Sequence, residues 1–167
     1  MTPAGQGLTG LVADASVLID HVETNRSILA LISHRLGTIH VPLPVLEEVR
    51  ALSDKDAAAL GIDVAEPTLH QALEAQAGGG RMSFKDWLCF VVARDAGWSV
   101  LTNDMALRKA CETAAIPCVW GMEAMAMLVE TEHLSAARAM AVARKIARAN
   151  PFITDLILDR FRDRIGL

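Results

Sequence analysis

The sequence predicts an α/β fold: a mostly parallel sheet with helices on both faces. Three observations carry that expectation. Short apolar, often β-branched runs recur up to Trp120, each of strand length. Longer segments whose apolar residues follow helical spacing separate them. Glycine or proline stands at most of the junctions. With 167 residues, 52% of them hydrophobic, the chain can bury a sizeable core, and that core must be aliphatic because aromatics are 4% and Tyr is missing.

Met1 to Thr9 offers little to bury and reads as a loose lead-in, and Leu11 to Ala13 is the first strand. Asp14 ends that strand, and Ser16 is placed to cap the following helix. Ser16 to Leu36 reads as helical with a break near Asn25, and Gly37 as its C-cap. Thr38 to Val41 is a second strand. Pro42 and Pro44 then open a helix that carries Val45, Val49 and Leu52 towards Leu60. Ile62 to Val64 suits an edge strand, and Pro67 starts a helix to about Ala77. Gly78-Gly79-Gly80 lacks the GxxxxGK[ST] context of a phosphate loop and reads as a flexible hinge.

Ser83-Phe84-Lys85-Asp86 has the form of a capping box, and its helix runs to Asp95, stopped by Gly97. Trp98 to Thr102 is a strand, Asp104 to Ala114 a helix, Pro117 to Trp120 the last strand, and Glu123 to Glu130 a helix. Beyond His133 two helices follow without a strand, Leu134 to Ala149 and Phe152 to Ile165, divided at Asn150-Pro151. The first has a basic side (Arg138, Arg144, Lys145, Arg148) opposite the stripe Ala139, Val142, Ala143, Ile146. Ile153, Ile157, Phe161 and Ile165 give the second an apolar side for docking or assembly. The organisation expected is a main domain over residues 10–131 and a helical extension over 132–167.

Several function classes are disfavoured. A formal net charge of −4 gives no overall pull towards nucleic acid, so such binding must be local or act through a metal. Cys89, Cys111 and Cys118 form no CxxC pair, and His21, His34, His40, His70 and His133 form no HExxH, which disfavours zinc and disulfides and fits a reducing cytoplasm. The first ten residues do not resemble a signal peptide, and no uncharged apolar stretch reaches roughly 18 residues, so no membrane association is expected.

Four acids stand near strand ends or in first helical turns: Asp14, Glu48, Asp86 and Asp104. Acids favour helix N-termini for electrostatic reasons alone, so each has an ordinary structural explanation. Their faces point further. At roughly 100° per residue, Asp86 shares a face with Cys89, Phe90 and Ala93, and Asp104 lines up with Leu107 and Cys111. Glu48 borders the Val45, Val49, Leu52 stripe, whereas Glu47 faces water. In an open parallel sheet, ligands bind beyond the carboxyl ends of the strands. Carboxylates converging there repel one another and call for a cation. With no His or Cys ligand nearby, Mg²⁺ or Mn²⁺ suits them, and such ions bind phosphate oxygens and activate water.

The stretches Val12-Ala13-Asp14-Ala15-Ser16-Val17-Leu18-Ile19, Val45-Leu46-Glu47-Glu48-Val49, Met82-Ser83-Phe84-Lys85-Asp86 and Leu101-Thr102-Asn103-Asp104, in this order, resemble the PIN-domain family, especially its VapC-type toxin ribonucleases. The resemblance implies a three-layer α/β/α sandwich, Mg²⁺ or Mn²⁺, and cleavage of single-stranded RNA. It implies that Asp14, Glu48, Asp86 and Asp104 are the catalytic, metal-holding acids, with Ser16, Thr102 and Asn103 supporting them. It further implies an RNA substrate and a cognate antitoxin as partners, while the tail offers a surface for a homodimer. Two features depart from the family pattern: Trp87 stands where a small residue such as Ala is usual, and the two-helix tail exceeds a minimal toxin. The competing expectations are a non-catalytic PIN-like module that binds RNA or protein, and a housekeeping RNA-processing nuclease. A phosphoaspartyl phosphatase lacks its DxDx[TV] signature, because Ser16 stands where the second Asp belongs.

Overall fold

The computed structural model describes residues 8–167, so most of the lead-in lies outside the described residues. Five strands form one sheet: β1 (Leu11–Ala13), β2 (Ile39–Pro42), β3 (Asp63–Ala65), β4 (Ser99–Leu101) and β5 (Cys118–Val119), in the order β3-β2-β1-β4-β5. Every pairing is parallel. β1 is central and apolar throughout because both of its faces are covered; Leu11, Val12 and Ala13 are all at 0% exposure.

The helices are α1 (Ala15–Thr24), α2 (Ser27–Arg35), α3 (Leu43–Leu46), α4 (Asp54–Ala59), α5 (Leu69–Ala77), α6 (Phe84–Ala96), α7 (Met105–Thr113), α8 (Gly121–Glu130), α9 (Ala136–Ala149) and α10 (Asp155–Arg164). α6 lies across β1, β2 and β4, flanked by α5 and α7. α1, α2, α8 and α9 pack on one another as the opposite layer, with α10 against α8 and α9. The result is the α/β/α sandwich that was expected. Ala139, Val142, Ala143 and Ile146 of α9, with Phe161 and Ile165 from the end of the chain, belong to the same buried cluster as the sheet residues. Arg144, Lys145 and Arg148 face solvent.

Local chemistry explains where the structure departs from expectation. The helix opened by Pro42 and Pro44 does not reach Leu60. α3 ends at Leu46, and tight turns follow, with Glu48 N–H donating to Val45 O (3.1 Å) and Val49 N–H to Leu46 O (2.9 Å). Ser53 and Asp56 then form a capping box that starts α4 afresh. Ser16 is not the cap of α1. Asp14 is, its side chain accepting from Val17 N–H, and Ser16 donates to it instead. The break at Asn25 is as expected, with Asn25 Oδ1 accepting from both Ser27 N–H and Ser27 Oγ.

The triple glycine is not a free hinge at its first residue. A Cβ on Gly78 would lie 2.5 Å from the Trp87 indole, and Trp87 Nε1 donates to Gly79 O at 3.0 Å. Trp87 thus clamps the loop before its own helix. Gly97 stops α6 in the left-handed conformation, φ 68°, as expected. Among the described residues, no helix is long and apolar enough to cross a membrane.

Candidate active site

The sheet order reverses direction beside β1. The chain winds from β1 out to β3, then returns across to β4 on the other side. A crevice opens at such a switch point beyond the strand ends, and Asp14 and the Thr102–Asp104 segment flank it there. A cleft of about 110 Å³ lies at this place, lined by Asp14, Ser16, Val45, Glu48, Lys85, Asp86, Cys89 and Asp104. All four acids singled out in the sequence therefore share one cavity.

Asp14 is its floor, 5% exposed. Oδ1 accepts from Ser16 Oγ (2.7 Å) and Val17 N–H (3.2 Å), and Oδ2 accepts from Thr102 Oγ1. Burial nevertheless pushes its pKa up to about 6, because desolvation outweighs those hydrogen bonds and Asp86 adds negative charge nearby. The buried Cys89 thiol beside it is pushed up by burial and then by Asp14, Asp86 and Glu48, so it feels three of the four carboxylates. The Ser16 and Thr102 hydroxyls thus both donate to Asp14. Thr102 Oγ1 also accepts from Asp104 N–H (2.9 Å), which fixes the strand end and the following helix start relative to Asp14.

The other three acids are less committed. Asp86 closes the capping box of α6, its Oδ2 accepting from Ser83 N–H and Ser83 Oγ, both at 2.8 Å. Asp104 caps α7 through Oδ1 and Leu107 N–H (2.8 Å), and it is exposed at the rim, not turned inward with Leu107 and Cys111. Glu48 reaches the cleft from the turn after α3, not from a helix face, and pairs with Lys85 Nζ at 2.8 Å. Among the described residues, no group of three or more His, Cys, Asp or Glu side chains is gathered to hold a metal ion. The reason is local, since Lys85 holds Glu48 while two carboxylates are turned to helix caps.

The donor chemistry still fits a hard divalent ion. Asp86 Oδ1, Asp104 Oδ2 and Glu48 Oε2 accept no hydrogen bond among the described residues, all donors are oxygen, and the buried carboxylate of Asp14 lacks a countercharge.

Two groups escaped the sequence reading. Lys85 carried a usable signal, since a cation in the first turn of a helix opposes the macrodipole and needs a partner. Asp20 carried none. It accepts from Asn103 Nδ2 (3.1 Å) and from Asn150 Nδ2 (3.1 Å to Oδ2), and burial raises its pKa. Asn103 Oδ1 in turn accepts from Gly121 N–H at 3.0 Å. Asn103 thus points away from the cleft and braces the loop that presents Thr102 and Asp104. No family model matches the chain, and no curated protein matches it.

Proposed function

We propose that this chain is a Mg²⁺- or Mn²⁺-dependent endoribonuclease that cuts single-stranded RNA. Asp14 is the observation that carries the reading: a carboxylate buried at the switch point of a parallel sheet, raised to about 6, with three further acids lining the same cleft. The four stretches that resemble PIN-domain ribonucleases contain those same acids. Asp14, Glu48, Asp86 and Asp104 would hold the ion. Bound there, it would polarise a phosphate oxygen and supply an activated water.

The remaining residues have definite tasks. The Ser16 and Thr102 hydroxyls orient Asp14 and keep both of its oxygens directed. Lys85 neutralises Glu48 and puts an ammonium at the cleft, where a phosphodiester oxygen can also take a hydrogen bond. Asn103 keeps the Thr102–Asp104 loop in register through Gly121 and Asp20. The proposal extends to a cytoplasmic toxin held in check by a cognate antitoxin laid across the cleft. One observation favours a second reading, a non-catalytic RNA- or protein-binding module: Glu48 is already paired with Lys85.

Incubating the purified chain with unstructured and structured RNAs in Mg²⁺, Mn²⁺ or EDTA tests this. Cleavage of unstructured RNA should require the metal, and Asp14→Asn should lower it by at least about a hundredfold while the chain stays folded. Full activity in EDTA would sink the mechanism. RNA binding without cleavage in either metal would establish the second reading.

A further inference from the structure

A second cavity, of about 870 Å³, opens beside the acidic cleft and shares Asp104 with it. One wall is the Gly79–Met82 segment that Trp87 clamps, and the other is α7. Arg81, Arg108 and Lys109 line it, with Met82 and Met105 on its apolar surface and Glu112 at its far end. We propose that this groove is the track along which the phosphodiester backbone of single-stranded RNA reaches the acidic cleft. The inference rests on the nuclease reading and adds to it the path and the residues of substrate binding.

The charges argue for a polyanion. The chain as a whole is acidic, with a formal net charge of −4, yet three cations converge here. Arg81 and Lys109 are exposed and take part in no ion pair among the described residues. Arg108 is held in place, its Nε bonded to Glu112 (3.1 Å) and its guanidinium 4.2 Å from the centre of the Trp120 ring. A fixed guanidinium loses little freedom on meeting a phosphate.

Continuity argues for RNA over an acidic peptide. A peptide carboxylate following the groove would run into four more carboxylates. A phosphodiester reaching the same point is the group that a cation held by those acids would polarise. Met105, 65% exposed, offers a polarisable surface for the face of a base. No aromatic side chain lines the groove, so contacts to the backbone lead and sequence preference should be weak.

The test is fluorescence anisotropy with a 5′-labelled oligouridylate. It uses the full chain in EDTA and the Asp14→Asn chain in Mg²⁺, with thermal midpoints checked for each variant. Arg81→Ala with Lys109→Ala should weaken binding tenfold or more at low salt. It should also reduce the slope of log K against log salt by about 1.4, at about 0.7 per lost contact. Lys145→Ala with Arg148→Ala, on the solvent face of α9, should change neither. Equal affinity in the groove variant and the unaltered chain overturns the proposal and leaves the groove to a protein partner. So does a loss confined to the α9 variant, or no binding by the unaltered chain. Cleavage by the groove variant with an unchanged KM would also overturn the track while leaving the nuclease standing. Groove-dependent binding with no cleavage by the unaltered chain would remove the nuclease and keep the track.

Discussion

Removing the charge of Asp14 should stabilise the ion-free chain. Its carboxyl holds a proton up to about pH 6 when folded, against an ordinary value of 3.8. Between those values the folded state binds more protons than the unfolded state. Stability therefore falls as pH rises from about 4 to about 6, then stays level. About two pKa units correspond to roughly 3 kcal/mol. A neutral amide at this position recovers only part of that, because it keeps one acceptor oxygen where the carboxylate offers two to the Ser16 Oγ, Val17 N–H and Thr102 Oγ1 donors. We expect Asp14→Asn to gain about 1–2 kcal/mol over the unaltered chain at pH 7 in EDTA, and no such gain near pH 4. Added Mg²⁺ should narrow the difference, since an ion that binds only the folded unaltered chain stabilises it by mass action. Urea melts of both chains under the three conditions decide the point. An equal loss of stability at pH 7 and pH 4 would show that Asp14 is needed for its hydrogen bonds alone.

Among the elements, α3 separates what could be read in advance from what could not. The apolar residues Val45, Val49 and Leu52 are buried as their spacing suggested, though the helix that was to carry them stops at Leu46. Periodicity reports which residues face the core, and tight turns of similar pitch satisfy it nearly as well as a helix does. The acids at strand ends were legible because a parallel sheet sends every strand end to one edge. The partners they bond were not, since Lys85 on Glu48 and Asn150 on Asp20 meet only after folding, the latter 130 residues apart in the chain. Glu48 lies on the cleft while Glu47, also exposed, is not among its lining residues. We expect Glu48→Gln to cut cleavage at saturating Mg²⁺ by orders of magnitude and Glu47→Gln to leave it within a few-fold. The opposite ranking of measured rates would place the wrong carboxylate in the cleft.

At the scale of the molecule, the tail behaves as part of the body. Phe161 is 5% exposed within the common core, Arg164 bonds Glu130 at 2.8 Å, and Asn150 bonds Asp20 of α1. Phe161→Ala should cost about 3–5 kcal/mol. All three tryptophans, Trp87, Trp98 and Trp120, lie outside the tail, so their fluorescence reports the body alone. The loss should appear undiminished in their denaturation midpoint and coincide with the midpoint from circular dichroism. A tryptophan transition that does not move would make the tail an independent unit.

The parallel sheet also sets an order of events during synthesis. β1 has neighbours on both sides, and the one that completes the cleft is far away in sequence: Leu11 pairs with Ser99, and Thr102 bonds Asp14 across 88 residues. At about 5–20 residues per second, that strand leaves the ribosome on the order of ten seconds after β1. For that interval β1 offers an open edge to any passing strand, a period in which the nascent chain is exposed to mispairing. During the same interval Asp14 lacks the Thr102 hydroxyl, Asp86 emerges only near the end, and Asp104 follows the strand itself. The cleft comes into being only once the second half of the sheet has closed on the first.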